Sequence, residues 1–94
     1  MPQILIVDDH ADIRRLLSIT LGKQFEILEA ENGAAALEVV RRHHPAVVLL
    51  DVMMPGAMDG FQVLETIKSN PTTADIVVAM VTARGQLADS EEAK

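Results

Sequence analysis

Short runs of apolar residues alternate along this chain with longer segments in which apolar side chains recur every three or four positions. An uninterrupted apolar run is typical of a strand buried on both faces, whereas the wider spacing is typical of an amphipathic helix. The pattern predicts strands at residues 4–7, 25–30, 46–51 and 76–81. The second of these alternates apolar and polar residues, which indicates an edge strand with one solvated face.

Three helical segments lie between the predicted strands, and a fourth is predicted to begin within residues 85–94. The second helix begins at Asn32 or Gly33 and runs to about His44, because the following Pro45 disfavours helical backbone before it. The apolar faces of the first and third helices are predicted to contain Ile13, Leu16, Leu17, Thr20 and Leu21, and Phe61, Val63, Leu64 and Ile67, respectively.

The order of these elements predicts the fold class. Strands that alternate with helices form a parallel sheet with helices on both faces. A chain of 94 residues has room for one such domain. We therefore expect a single α/β domain, with the very apolar third strand near the centre of the sheet.

Composition excludes several classes of function. Aromatic residues make up 2% of the chain and the formal net charge is -6, so we expect no direct nucleic-acid partner. There is no cysteine for a disulfide or a thiolate metal site. There is also no apolar run of about 18 residues for a membrane span. We expect a cytoplasmic protein with no membrane partner.

Acidic and hydroxyl side chains stand where the predicted strands end. Asp8 and Asp9 follow the first strand, Asp51 ends the third, and Thr82 follows the fourth. The carboxyl ends of parallel strands meet at one edge of the sheet, where ligands bind. Crowded carboxylates repel one another unless a cation lies between them, and Mg²⁺ prefers oxygen ligands. The sequence therefore predicts a Mg²⁺ pocket at this edge.

An aspartate in such a pocket can act as a nucleophile and carry an acyl phosphate. Asp51 is the best candidate, because it follows the most apolar strand and precedes a loop rich in proline and glycine. Thr82 is placed to donate a hydrogen bond to a phosphoryl oxygen. One aspartate before a helix could be a simple N-cap, but two beside Asp51 favour a metal site.

Three sequence blocks then identify a family. ILIVDDHADIRRLL, LLDVMMPGAMDGFQVL and VVAMVTAR resemble the receiver domains of bacterial two-component response regulators, and the blocks stand in the family's order. The resemblance covers essentially the whole chain. It implies a flavodoxin-like three-layer α/β/α fold with a parallel sheet of strand order 2-1-3-4-5, of which this chain supplies 2-1-3-4.

The resemblance also assigns roles to individual residues. It implies that Mg²⁺ is the cofactor and that Asp8, Asp9, Asp51 and the backbone carbonyl of Met53 are its ligands. It further implies that Asp51 is the phosphoacceptor, charged by a sensor histidine kinase or a phosphotransfer protein.

Two more roles follow from the last block. Thr82 resembles the family's switch hydroxyl, and Ala83 resembles the small residue that leaves room for the phosphoryl group. Receiver domains promote their own phosphorylation and dephosphorylation but are not classed as enzymes, and we expect the same of this chain.

Two features depart from the family's pattern. The loop MPGAMDG looks one residue longer than the commoner MPGMDG. Residues 1–94 are also expected to be a receiver domain that ends inside or just after helix 4, without the fifth β-α unit and its lysine. We expect weak phosphotransfer as a result, and a homodimer that pairs through the exposed edge of strand 4.

Alternative functions remain open from the sequence. One is a receiver-like interaction module with little or no phosphotransfer. Another is an aspartate-based phosphohydrolase, although position 10 is His where such enzymes usually have a second Asp. A cobalamin-binding domain shares the architecture, but its D-x-H-x-x-G pattern fails at Ile13. Asp59 is interpreted as the cap of the third helix, and His10 as an exposed residue of the first helical turn.

Overall fold

The computed structural model describes residues 2–52 and 59–81, which contain strands and helices in strict alternation. The elements of this part of the chain, in order, are β1 Gln3–Val7, α1 Ala11–Leu21, β2 Glu26–Ala30, α2 Gly33–His43, β3 Val47–Asp51, α3 Gly60–Ser69 and β4 Val77–Val81. Every predicted strand and the first three predicted helices are confirmed, and the predicted ends of the strands and of the second helix agree with the structure to within one residue.

The four strands form one parallel sheet in the order β2-β1-β3-β4. This confirms the predicted strand order and the predicted edge position of β2. Val7 is paired with Ala30 on one side and Leu50 on the other, so β1 and β3 end at the same level. The sheet therefore brings the residues that follow β1 and end β3 to one edge.

The main hydrophobic core lies on one face of the sheet, between the two central strands and helices α2 and α3. Leu5, Val48 and Leu50 have no exposed surface. Helices α2 and α3 each bury one stripe of small or branched side chains against them, as amphipathic helices do. These stripes contain Gly33, Ala36 and Val40 in α2, and Gly60, Val63 and Ile67 in α3.

Three residues of the predicted apolar faces are in fact exposed, namely Leu16, Thr20 and Phe61. Phe61 and Leu16 each leave 60% of their surface in solvent. In α3 the buried residues fall at positions 60, 63 and 67, and Phe61 is rotated about 100° from Gly60 on the helix. Within the described residues, only one side of α1 packs against the sheet. Ile13, Leu17 and Leu21 on that side are partly buried, while Leu16 and Ile19 face outwards.

Side-chain hydrogen bonds and backbone conformation determine where α2 begins and ends. Asn32 caps α2 by accepting a 2.8 Å hydrogen bond from the backbone N–H of Ala35. At the other end His44 adopts a left-handed conformation, with φ of 48°, and its Nε2 lies 2.9 Å from the Thr72 carbonyl oxygen. The predicted helix within residues 85–94 lies outside the described part of the chain.

No helix in the described ranges is both long enough and apolar enough to cross a bilayer.

Candidate metal centre

The predicted acidic residues are brought together at the carboxyl edge of the sheet. Asp8 directly follows β1 and Asp51 is the last residue of β3, the strand next to it. Both are almost fully buried, with 5% and 3% of their surfaces exposed. A buried, ionised carboxylate is stabilised by positive charge or by hydrogen bonds, so this edge of the sheet favours a cation.

Asp8 is held in place through both its backbone and its side chain. Its backbone N–H donates to the Ala30 carbonyl oxygen at 3.1 Å, which extends the pairing of β1 with β2. Its carbonyl oxygen accepts a 2.8 Å hydrogen bond from Arg14 Nη1. Its Oδ1 accepts a 2.8 Å hydrogen bond from the backbone N–H of His10. The Asp8 carboxylate therefore has a fixed position relative to the sheet.

Arg14 links three elements around this position. Besides bonding to Asp8, it donates from Nε to Glu29 Oε1 at 3.1 Å, and Glu29 also accepts a 3.1 Å hydrogen bond from Ser18. The guanidinium thus ties α1 to the ends of β1 and β2. This role of Arg14 is not predicted from the sequence, because no local pattern links it to Asp8.

Asp9 contributes an oxygen without a hydrogen-bond partner. Its side chain is 28% exposed, yet its Oδ1 is buried and forms no hydrogen bond within the described residues. His10 Nδ1 lies 3.2 Å from this oxygen, as an ionic contact. A buried carboxylate oxygen left in this state is costly in free energy, and a cation would satisfy it.

His10 lies closer to this centre than its sequence position predicts. It is the N-cap residue of α1 and is exposed, as predicted, but its Nδ1 lies 3.0 Å from Asp8 Oδ1. The hydrogen bond with Asp8, followed by the negative charge of Asp9, raises the pKa of His10 above its ordinary value of 6.5. Since the ring reaches the carboxylates, His10 belongs to the site.

Ligand atoms from Asp8, Asp9, His10 and Asp51 all lie within 4.8 Å of one another. Ligands on opposite sides of a divalent ion with bonds of about 2.1 Å are roughly 4.2 Å apart, so the cluster has suitable dimensions. Three carboxylates, one of which has an unsatisfied oxygen, suit a hard cation such as Mg²⁺. The other predicted site residues, Met53, Thr82 and Ala83, lie outside the described residues.

The start of α3 is packed directly against the end of β3. Asp59 accepts a 3.0 Å hydrogen bond from the Gln62 backbone N–H, and the Gln62 side chain accepts one from the Asp59 backbone. This capping box confirms the predicted role of Asp59. A Cβ at Gly60 would collide with the Asp51 carbonyl oxygen and lie 2.9 Å from Val52 Cα. The close approach of α3 therefore depends on glycine.

Comparison with known proteins identifies this arrangement. The family model described as "Response regulator receiver domain" matches residues 4–94. The chain belongs to the response regulator receiver family. The resemblance found from the three sequence blocks is therefore confirmed, and the acidic edge of the sheet is the edge of a receiver domain.

Curated relatives of this receiver domain are longer regulators. "Probable transcriptional regulator ycf27" from Pyropia yezoensis is 41% identical over 88 residues, which cover 93% of this chain and 35% of the relative. "Response regulator PleD" from Caulobacter vibrioides is 44% identical over 82 residues, covering 86% of this chain and 18% of the relative. The chain thus spans about a third or less of the length of these proteins.

Solved receiver structures share the fold. The N-terminal domain of a response regulator receiver protein from Methanoculleus marisnigri JR1 gives a TM-score of 0.81 at 28% identity, covering 99% of this chain and 93% of that one. The chemotaxis response regulator CheY4 of Vibrio cholerae gives 0.84 at 28% identity, covering 98% and 77%. The flavodoxin-like fold is confirmed, whereas phosphorylation of Asp51 and Mg²⁺ binding stay predictions.

Proposed function

We propose that this receiver domain is the phosphoacceptor module of a two-component phosphorelay, in which Asp51 takes a phosphoryl group from a sensor histidine kinase or a phosphotransfer protein. The observation that carries the proposal is the clustering of Asp8, Asp9 and Asp51 at the carboxyl edge of the sheet, with ligand atoms within 4.8 Å, in a chain of the receiver family. The kinase itself is a partner inferred from the family.

The carboxylates of Asp8, Asp9 and Asp51 would hold Mg²⁺, together with the Met53 backbone carbonyl that the resemblance implies. The unsatisfied Asp9 Oδ1 and the all-oxygen aspartate set support this choice of ion. Bound Mg²⁺ would neutralise the crowded carboxylates and stabilise charge on the phosphoryl oxygens.

Asp51 supplies the nucleophile. A carboxylate oxygen of Asp51 forms a new bond to phosphorus while the bond from phosphorus to the donor's histidine nitrogen breaks. The donor imidazole keeps the electron pair and takes a proton from solvent, and Asp51 becomes an acyl phosphate. The position of Asp51 at the end of a central strand, 3% exposed, holds this oxygen in a defined place.

Thr82 and Ala83 complete the proposed site. Thr82 would donate a hydrogen bond to the phosphoryl group, and Ala83 would leave space for it. Because Asp51 is itself modified and returns to its starting state by hydrolysis of the acyl phosphate, we propose a signalling role for the chain rather than a role as an enzyme.

The test is labelling with a small phosphodonor, such as an acyl phosphate or a phosphoramidate, with and without Mg²⁺. We expect one phosphate on Asp51, located by mass spectrometry after borohydride trapping, and none in Asp51→Asn. Asp75→Asn is the matched control, since Asp75 is an exposed aspartate beside His44 at the opposite edge of the sheet. Its labelling should equal that of the wild type.

Two results would contradict the proposal. Phosphate on a residue other than Asp51 would show that Asp51 is not the phosphoacceptor. The absence of Mg²⁺-dependent labelling in an otherwise folded chain would favour a receiver-like interaction module with little or no phosphotransfer.

We also propose that the chain self-associates through β4. Within the described part of the chain, β4 is paired on one side only, with β3. Val77 is 58% exposed, and Val78, Ala79 and Met80 are each only partly buried, although all are apolar. Apolar strand edges with unpaired backbone groups recruit other strands, and a second copy of β4 is the nearest match.

A further inference from the structure

We propose that His10 is a metal ligand through an imidazole nitrogen, so that the acidic centre binds borderline transition-metal ions such as Co²⁺ and Ni²⁺ with a preference that the aspartates alone would not give. This inference rests on the metal pocket of the proposed function. It assigns to His10 a role in choosing the ion.

The geometry places the His10 ring within the centre. Its Nδ1 lies 3.0 Å from Asp8 Oδ1 and 3.2 Å from Asp9 Oδ1, so it contacts both members of the acidic pair. Adjacent ligands of an octahedral ion with bonds of about 2.1 Å lie roughly 3 Å apart. The separations between His10 Nδ1 and the two carboxylate oxygens, which without an ion are a hydrogen bond and an ionic contact, also fit atoms that share one ion.

The backbone leaves the His10 side chain available for this role. As the N-cap of α1, His10 makes no side-chain capping hydrogen bond, and its contacts are with the carboxylates. Its side chain is 61% exposed, so the ring can adjust by a small rotation. Asp8 Oδ1 also accepts a 2.8 Å hydrogen bond from the backbone N–H of His10, which does not depend on the orientation of the ring.

The chemical type of the donor atoms decides which ion gains most affinity from His10. Carboxylate and carbonyl oxygens suit Mg²⁺, whereas imidazole suits Ni²⁺, Co²⁺, Zn²⁺ and Cu²⁺. Replacing one water of the shell by imidazole should therefore strengthen binding of these ions much more than binding of Mg²⁺. The measurable quantity is the ratio of Ni²⁺ to Mg²⁺ affinity.

The experiment measures binding of Mg²⁺, Co²⁺ and Ni²⁺ to the 94-residue chain by calorimetry at about pH 8, where a free histidine ring is largely neutral. The variants are His10→Ala and His10→Asn. Asn is a good N-cap residue and should keep α1 intact while removing the nitrogen donor. His43→Asn is the matched control, because His43 is an exposed histidine at the end of α2, the opposite end from the acidic edge.

We expect both His10 variants to lose Ni²⁺ and Co²⁺ affinity by on the order of tenfold or more, while Mg²⁺ affinity falls much less. His43→Asn should bind all three ions as the wild type does. With Co²⁺ bound, the proton and nitrogen resonances of the His10 ring should show the large paramagnetic shifts of a direct ligand, and those of His43 should not.

Equal losses for Mg²⁺ and Ni²⁺, unchanged Ni²⁺ binding in both His10 variants, or absence of the paramagnetic shifts would each overturn the inference. The proposed function fails separately. If Asp8→Asn and Asp51→Asn leave Mg²⁺ binding intact, the pocket itself is wrong and the role of His10 falls with it. If those variants lose Mg²⁺ but the His10 variants keep Ni²⁺, only the role of His10 is wrong.

Discussion

Gly60 lies against the backbone of Asp51 so closely that a side chain has no space between them: a Cβ would collide with the Asp51 carbonyl oxygen. The first residue of α3 is thus in contact with the last residue of β3. Any side chain at position 60 must push α3 away from the strand that carries the proposed phosphoacceptor.

We predict that Gly60→Ala destabilises the chain although alanine favours helices. The neighbouring atoms are backbone atoms and cannot rotate away, so the cost should be about 1–3 kcal/mol of unfolding free energy, as in other overpacked sites. Urea denaturation measures it. Phosphorylation of Asp51 should also slow, because its carbonyl is displaced.

Phe61→Ala is the control for this prediction. The Phe61 ring is 60% exposed, so its removal should change stability by only about 0.5 kcal/mol, as is usual at the surface. A Gly60→Ala chain as stable as the wild type, or a Phe61→Ala chain that is strongly destabilised, would show that the packing at the start of α3 differs from the one described.

The acidic pair should be required for metal binding. We predict that the double variant Asp8→Ala, Asp9→Ala loses detectable Mg²⁺ binding by calorimetry, because it removes the buried carboxylate and the unsatisfied oxygen together. Asp12→Ala is the control, since Asp12 is an exposed aspartate in the first turn of α1. Unchanged binding in the double variant would mean that the ion lies elsewhere.

Much of this site could be predicted from the sequence because strand ends in a parallel sheet share an edge. Asp8, Asp9 and Asp51 were found from that rule and from the family blocks, and the edge position of β2 from its alternating pattern. The roles of Arg14 and His10 could not be found this way. Each role depends on where the N-terminal end of α1 lies relative to β1 and β2. The spacing of residues along the sequence does not determine that position.

The exposed positions of Phe61 and Leu16 illustrate another limit. A stripe of apolar residues indicates that a helix has a buried face but leaves its rotation uncertain by about one residue, or about 100°. In α3 the contact with Gly60 fixes the rotation, and Phe61 is turned outwards as a result. Such contacts are tertiary and have no signal in a hydropathy pattern.

We predict that His10 titrates above its ordinary value of 6.5, because its charged form is stabilised first by the Asp8 hydrogen bond and then by the charge of Asp9. The raised pKa makes the His10 contribution to stability fully present below pH 6.5 and lost as the pH rises through the folded-state pKa. NMR titration of the ring in metal-free buffer measures the pKa directly.

Asp8→Asn should lower the pKa of His10, since it removes the principal cause of the shift, whereas Asp12→Asn should leave it unchanged. If the wild-type ring titrates at or below 6.5, the contacts of His10 with the acidic pair do not persist in solution.

The edge of β4 that is unpaired within residues 2–52 and 59–81 should make the 94-residue chain associate. Its described residues Val77, Val78, Ala79 and Met80 are all apolar and none is fully buried, while β1 buries four of its five residues. Pairing two such edges would satisfy backbone groups and cover apolar side chains at once. Sedimentation velocity should therefore show dimers or larger species that increase with concentration.

Val77→Lys, which places a charge at the most exposed position of the strand, should shift the equilibrium towards monomer, and Thr66→Lys on the exposed face of α3 should not. A wild-type chain that stays monomeric at high concentration, with the β4 amides protected from hydrogen exchange, would show that this edge is covered within the chain itself.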